Sequence, residues 1–362
     1  MKPVVLPFYA KVALILISII ALGYILVIGQ KVLAPLLFAF LFSTLLMPVA
    51  KFFEIKLHLP RGLASLIAVI LFIVFIASVL LVLGSQFSLI VRDWPVLQEH
   101  IGQSLHQFQQ WAEHHWHIKV SRQLEYIHSA TDKLLADAGT LLSLTLVTVS
   151  TTFLFYSFVL VFTFFMLFNR RTLFKFLLAI YKNEHAHIVN DIIREVQSII
   201  KRYIMGLFLQ MGIVSMLSFT VFLTLGVQYA LFLGLIAGMF NVIPYVGIFT
   251  AMFISLLLTF GTAGASKALL VLLSFLFIHT VDANFIMPVI VGSKVKLNPM
   301  VVILGIICGE MMWGISGMFL CVPYLAILKI IFDRIDFLAP WSLLLGEEVS
   351  VRKRSKPKKK DS

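Results

Sequence analysis

The chain has 362 residues, of which 60% are apolar and 13% charged, and its formal net charge is +12. Soluble domains are about one-half apolar and about one-quarter charged, so this composition excludes an ordinary soluble protein and indicates one embedded in lipid. Seven positive residues lie in the segment 351–360, and most others lie between apolar stretches. This distribution argues against nucleic-acid binding. It is typical of a basic tail beside anionic lipids, and a disordered solubilising tail explains it equally well.

About 20 apolar residues cross a bilayer, and the sequence contains eight stretches that long. They are predicted near residues 10–29, 32–50, 62–90, 141–168, 203–226, 228–260, 266–288 and 299–331. Lys and Arg concentrate after the second and fourth stretches and in the tail, and these residues favour the cytoplasmic side. We therefore predict an all-α integral membrane protein with about eight transmembrane helices, several kinked or broken, and with both termini in the cytoplasm.

This topology divides the chain into six segments. The membrane helices are assigned to residues 1–90, 141–168 and 203–336, the polar segments to residues 91–140 and 169–202, and the basic tail to residues 337–362.

The polar segment 91–140 is predicted to form a small extracytoplasmic helical hairpin. Its apolar residues recur every three or four positions, as on one helix face: Leu97, Ile101, Leu105, Phe108 and Ala112. Three histidines, His114, His115 and His117, are ligand types for a metal. Their side chains point in different directions within one helical turn, so a solvated polar face is favoured and no metal site is predicted.

The second polar segment, 169–202, is predicted to contain a cytoplasmic amphipathic helix. Its apolar stripe consists of Ile188, Ile192, Val196, Ile199 and Tyr203, with Arg194, Lys201 and Arg202 off the stripe. A helix lying on the inner membrane surface and leading into the fifth span explains this pattern. A surface for a partner helix between subunits is the alternative.

The sixth span carries the signals of a broken helix. Asn241, Pro244 and Gly247 lie near its middle. Proline removes a backbone donor and clashes with the preceding turn, and broken helices line solute or ion sites in transporters. Asn241 is the polar side chain at this break. A simple proline kink remains an equal alternative.

The seventh span holds Asp282 in an apolar stretch. An ionisable group at membrane depth costs roughly 3 kcal/mol or more, so Asp282 is a candidate for a solute or ion pathway. His279 lies one helical turn earlier, and a His279–Asp282 proton relay and a backbone-bonded His279 both remain open. Asn284 follows Asp282. Helix breaks are predicted at three further positions, namely Pro288, Gly292 and Pro299.

The eighth span contains the second intramembrane carboxyl, Glu310. The small residues Gly305 and Gly309 precede it, and a similar pair is formed by Gly234 and Gly238. Such pairs let helix backbones approach closely. Gly314 and Gly317 are candidate hinges. A carboxyl neutralised by a neighbour, or one lying at the headgroup boundary, is the alternative reading for both Asp282 and Glu310.

The motifs of the last three spans together resemble the AI-2E family of permeases, the autoinducer-2 exporter-like family. The matching segments are 241–247, 284–292, 297–299 and 314–323. The resemblance extends to about Asp336. It implies an eight-span permease in a bacterial plasma membrane, assembled as a homo-oligomer, that moves a small solute out of the cell. Members are linked to export of autoinducer-2 and others to sodium–proton antiport. Glu310 and the basic tail have no counterpart in these motifs.

The function predicted from these observations is secondary transport, with residues 203–336 as the transport core. A phosphate-binding loop of the G-x-x-x-x-G-K-[ST] type is absent from the sequence, which argues against ATP-driven export by this chain alone. Cation–proton antiport is the alternative within the family, and a membrane scaffold without transport is the alternative of another class. Hydrolase motifs are also absent, so neither an enzyme nor a cofactor is predicted.

Overall fold

A computed structural model describes residues 7–95, 99, 102–103, 152–180, 186–243, 246–290 and 297–346. Within these ranges the chain is helical, with one isolated bridge between Leu297 and Gly346. The predicted all-α fold class is therefore confirmed. Most of the predicted extracytoplasmic hairpin, with its histidines, lies outside the described residues, as do the basic residues after Gly346 and the hinge candidates Pro244 and Gly292.

Twelve α-helices are labelled here in chain order. They are α1 (Phe8–Ile28), α2 (Gln30–Lys56), α3 (Arg61–Arg92), α4 (Thr152–Phe168), α5 (Arg170–Ile180), α6 (Ala186–Thr224), α7 (Ala230–Phe240), α8 (Val246–Val281), α9 (Met287–Ile290), α10 (Pro299–Trp313), α11 (Ile315–Arg334) and α12 (Ala339–Leu345). A π-helix, Asp282–Ile286, joins α8 to α9, and a short 3-10 helix, Asp336–Leu338, precedes α12.

Six of the described helical stretches are long and apolar enough to cross a membrane, and α4 with α5 makes a seventh if this bent pair is counted as one span. The structure joins the predicted sixth and seventh spans through α8. A straight helix of this length would run about 54 Å, whereas the hydrocarbon layer is about 30 Å thick. Gly264 divides α8, since its φ of 78° and ψ of −178° are non-helical.

The two halves of α8 enclose a shallow space of about 450 Å³ at Gly264. It is lined by apolar side chains, namely Phe253, Leu256, Leu257, Phe260, Ala265, Ala268, Leu269 and Leu272. The two groups of lining residues come from opposite sides of Gly264, so the chain turns back on itself there. The space has no ionisable lining residue and is not a candidate ion site.

The predicted eighth span is a hairpin of two helices rather than one helix. The chain turns at Gly314, whose φ of 59° favours glycine. Gly309 lies against Gly317, and a Cβ on Gly309 would come within 2.6 Å of the Gly317 carbonyl oxygen. One turn further from the tip, Gly305 faces Cys321. These contacts make α10 and α11 antiparallel and closely packed.

The chain forms two compact units, and the first comprises residues 1–30, 174–200 and 293–362. In its described part, the tip of the α10–α11 hairpin is bound to α1, because the Trp313 indole N–H donates to the Leu26 carbonyl at 2.9 Å. Arg334 at the end of α11 donates to Glu195 on α6 at 2.6 Å. These contacts tie the hairpin to the segments before it in the chain.

The second unit comprises residues 31–173 and 201–292. Its larger described core packs the ends of α3 and α6 against α7 and α8, with Phe222, Leu233 and Val271 fully buried. A smaller core packs α2, α3 and α4 around Leu46, Ala68 and Leu167. Large apolar side chains also cover the outside of these helices, as expected for surfaces that face lipid.

The predicted amphipathic segment leads directly into the fifth span, because α6 is one continuous helix of 39 residues. Its buried stripe runs through Val196, Ile200, Ile204 and Leu207. This stripe continues into the membrane part of α6, where it reaches the candidate site.

Candidate functional site

Three buried or half-buried polar side chains meet in the second unit. The Asp282 carboxylate accepts hydrogen bonds from the Gln210 side-chain amide, at 2.9 Å to each carboxylate oxygen, and from the Asn241 amide at 2.8 Å. Asp282 is 5% exposed and Gln210 is 6% exposed. The three residues come from α6, the end of α7 and the start of the π-helix. We call them the Asp282 triad.

Close packing of α6 against α7 sets the position of the two amides. Gly234 lies against the backbone of Phe219, and Gly238 lies against Met211 and Ser215. The pairing is antiparallel, so the next turn of α7 brings Asn241 beside Gln210. A side chain on either glycine would overlap the facing helix, which explains the small residues at these positions.

The end of α7 leaves Asn241 at a helix terminus. A tight turn follows, in which the Ile243 amide donates to the Phe240 carbonyl at 3.0 Å. Gly247, in the first turn of α8, lies so close to Phe240 that a Cβ would overlap the Phe240 carbonyl. The predicted break thus lies between α7 and α8, and Gly247 permits the close approach of the two helices.

Asp282 is the first residue of the π-helix, and proline chemistry explains why the helix widens there. Pro288 has no amide hydrogen and would crowd the carbonyl four residues earlier. The Met287 amide donates to the Asp282 carbonyl, five residues back. Single π-turns of this kind are frequently found at functional sites. Asn284 lies in the same widened turn, and its side-chain amide donates to the Thr280 carbonyl at 2.8 Å.

The structure brings together only two of the five residues predicted for the pathway, Asp282 and Asn241. His279 and Asn284 are exposed on the helix that carries Asp282. Glu310 is exposed on α10 and belongs to the first unit. The relay between His279 and Asp282 has no hydrogen bond to support it among the described residues.

The remaining hinge candidates lie at helix ends and contacts outside the triad. Pro299 is the first residue of α10, where Asn298 caps the helix by accepting from the Met300 amide at 3.0 Å. Gly314 and Gly317 form the turn and the close contact of the α10–α11 hairpin. These residues shape the first unit rather than the triad.

Gln210 is the site residue that the sequence analysis missed. A signal was present, because Gln210 continues the buried stripe of α6 three residues after Leu207 and four before Val214. A polar residue on the buried face of a membrane helix needs a partner. The partner, Asp282, is 72 residues away in the chain, so no local pattern connects the two.

The triad lies far from one end of the helices that hold it. Gln210 is about 21 Å along α6 from its last residue, and Asp282 is about 27 Å along the second half of α8 from Gly264. Those two distant ends lie together, since the Lys267 ammonium donates to the Gly226 carbonyl at 2.9 Å. Both lengths are a large part of a hydrocarbon layer about 30 Å thick, so the triad is well removed from that end of the helices.

Three buried hydroxyls lie on the helices that lead from the triad toward that distant end. Ser218 is two turns along α6 from Gln210, and Ser255 and Thr259 share one face of α8. Each is fully buried, and its hydroxyl oxygen has no hydrogen-bond partner among the described residues. Orphaned polar atoms are rare in folded proteins and call for an explanation.

The chemistry of the triad suits a small cation, a proton or a hydroxyl-bearing solute. No Lys, Arg or His among the described residues neutralises Asp282, and the two amides are uncharged. Each amide carries an oxygen as well as its NH₂ group. Rotation of the amides would present their oxygens to a cation, whereas in the observed orientation both NH₂ groups donate to the Asp282 side chain.

Comparison with known proteins agrees with this membrane architecture. The sequence profile of the AI-2E family transporter matches residues 14–336. "Putative transport protein YrrI" of Bacillus subtilis is 28% identical over 351 residues, covering 91% of this chain and 96% of YrrI. "Putative transport protein YhhT" of Escherichia coli K12 is 23% identical over 332 residues, covering 88% and 89%. "AI-2 transport protein TqsA" of the same strain is 34% identical over 124 residues, covering 34% and 36%.

Proposed function

Because this chain belongs to the AI-2E transporter family, we propose that it is a secondary transporter that exports a small polar solute and uses Asp282 as its coupling group. The observation that carries this proposal is a buried carboxylate that is held by two amides and has no cationic partner among the described residues. Such a group is costly at membrane depth, and transporters retain it to bind or move charge.

The proposed solute is a small hydroxyl-rich molecule of the autoinducer-2 type. The amides of Gln210 and Asn241 can donate and accept hydrogen bonds, and the hydroxyls of Ser218, Ser255 and Thr259 extend the polar groups through the bilayer. The name of TqsA supports this substrate class over the shared third of the chain. The solute gradient or an ion gradient supplies the driving force.

Cation–proton antiport is the second candidate. One carboxylate with two amide oxygens offers hard oxygen ligands, which suit a small cation that competes with a proton at the same carboxyl. This alternative requires no organic solute.

The proposed setting is a bacterial inner membrane, with both termini in the cytoplasm and a homo-oligomeric assembly. The helix ends that carry Lys56, Arg61 and Arg170 then face the cytoplasm, in agreement with the tendency of Lys and Arg to lie on that side. Tyr229 contacts Asp93 at the far end of α3, so this arrangement places the triad nearer the cytoplasmic face. Anionic lipids are the proposed neighbours of the basic tail.

Flux in proteoliposomes under imposed proton or sodium gradients tests the proposal. We expect Asp282→Asn to lower gradient-driven flux by about 10- to 100-fold, since hydrogen bonds to charged groups contribute about 1.5–3 kcal/mol. Asp191→Asn is the matched control, because Asp191 is exposed on α6.

Flux measured for both an autoinducer-2-type molecule and sodium distinguishes the candidate functions. Flux of an autoinducer-2-type molecule supports export, whereas sodium–proton exchange without it supports antiport. Unchanged flux and unchanged proton dependence in Asp282→Asn would rule out the coupling role. Absence of any flux in the wild-type protein would favour a scaffold.

A further inference from the structure

Three arginines converge on one glutamate where α2, α3, α4 and α5 end or begin. Arg61 Nε lies 3.3 Å from a Glu54 carboxylate oxygen, and Arg171 Nη2 lies 3.1 Å from the same oxygen. Arg170 pairs with the other oxygen of Glu54. Three guanidinium groups thus meet one carboxylate, which leaves a surplus of two positive charges within the cluster. We call these four residues the Glu54 cluster.

One guanidinium in this cluster has unused hydrogen-bonding capacity. The Arg170 side chain is only 11% exposed, and its Nη1 is buried without a hydrogen-bond partner in the described structure. An unpaired donor on a buried charge is costly. The amino ends of α3 and α5 lie at the same corner and add positive partial charge. The cluster is therefore suited to an anion.

The backbone places this corner at the boundary between lipid and water. α5 bends by 73° from the direction of α4 immediately before Arg170. Its apolar residues Leu173, Phe176, Leu177 and Ile180 recur at helical spacing and are exposed. A short helix that turns away from a membrane span and exposes an apolar face is typical of an interfacial helix. An anion at this corner would lie beside acyl chains.

We propose that the Glu54 cluster binds the phosphate of an anionic phospholipid. Arginine guanidinium groups bind phosphate through two parallel hydrogen bonds. The surplus positive charge favours a headgroup with net negative charge over a zwitterionic one. The exposed apolar side chains of Ile55 and Leu63, near Glu54 and Arg61 in the chain, supply a surface for the acyl chains, which a soluble phosphate cannot use. This site is separate from the Asp282 triad and from the basic tail.

The test uses the full-length protein in detergent after removal of bound lipid. Native mass spectrometry measures binding of phosphatidylglycerol and of phosphatidylcholine with the same acyl chains. We expect phosphatidylglycerol to bind more tightly, and Arg171→Gln to weaken it about fivefold, since one basic residue near a lipid surface contributes about 1 kcal/mol. Arg202→Gln, which removes an exposed charge on α6, should leave this affinity unchanged.

A second variant separates lipid binding from a purely structural ion pair. Glu54→Gln raises the surplus charge, so phosphatidylglycerol should bind more tightly than in the wild-type protein. Equal affinities of Arg171→Gln and Arg202→Gln, or weaker binding in a folded Glu54→Gln protein, would overturn the proposal. Displacement of the lipid by an equal concentration of inorganic phosphate would overturn it as well, because the site would then belong to a soluble anion.

Discussion

The two carboxyl groups in apolar stretches of the last spans, Asp282 and Glu310, have opposite environments. Asp282 is buried and accepts hydrogen bonds from two amides, whereas Glu310 is exposed on the surface of α10. Both looked alike in the sequence, because each interrupts an apolar run. The difference shows that distant neighbours, and not the local sequence, decide whether such a carboxyl is buried and hydrogen-bonded.

Their helical surroundings differ in the same way. Asp282 begins the π-helix, and its partner Asn241 lies just after the end of α7. The polar contacts therefore lie where the backbone is not regular α-helix. Glu310 follows Gly309 on a regular helix packed tightly against its hairpin partner. The triad region therefore combines polar contacts with an irregular backbone, whereas the α10–α11 hairpin combines a regular backbone with close packing.

The largest expected contrast is in stability. Asp282→Leu would leave the Gln210 and Asn241 amides without their acceptor, at about 1–3 kcal/mol for each stranded group. Glu310→Leu strands no partner and should be neutral or stabilising. Thermal unfolding of both variants in one detergent measures the difference. An equal loss of stability in the two variants would remove the distinction between the carboxyls.

Several parts of the fold could be predicted from local sequence. The apolar stretches, the break after Asn241 and the choice of Asp282 as a candidate all follow from residues within one helix length. The hairpin at Gly314 could not be predicted from length alone, because a largely apolar stretch of 33 residues suits one tilted span as well as two shorter helices. Gln210 was missed because its hydrogen-bond partner, Asp282, lies 72 residues away. Contacts at that separation depend on how the helices pack.

The second contrast concerns the glycines of the two close helix pairs. Gly238→Val would push α7 away from Ser215 and Met211, at about 1–3 kcal/mol for overpacking, and would also separate Asn241 from Gln210. Gly309→Val imposes a similar clash in the hairpin. We expect both to lower thermal stability but only Gly238→Val to lower flux per folded molecule in proteoliposomes. Equal flux losses would indicate that the hairpin takes part in gating.

A narrower contrast tests the amide that the sequence analysis missed. Gln210→Leu keeps the side chain buried but removes one donor to the Asp282 carboxylate, and we expect flux to fall about tenfold from a loss of about 1–2 kcal/mol. Gln228→Leu changes an exposed amide in the α6–α7 link and serves as the control. Wild-type flux in Gln210→Leu would reduce the site to Asp282 and Asn241.

The smallest expected effect lies at the opposite end of the same region, in the link between α6 and α7. The pKa of Tyr229 is raised to about 12, first by burial and second by the hydrogen bond that its hydroxyl donates to Asp93. Because the unfolded chain ionises this phenol near its ordinary value of 10, the contact stabilises the fold below that pH and loses its contribution as pH rises from about 10 to about 12.

Asp93→Asn should therefore lower the pKa of Tyr229 while leaving flux at neutral pH unchanged. Ultraviolet difference titration measures this pKa, with Tyr229→Phe subtracted to isolate one phenol. If Asp93→Asn instead abolished flux, this link would act together with the Asp282 triad across the bilayer. The contrast would then lie between the two ends of α6 rather than between the two carboxyls.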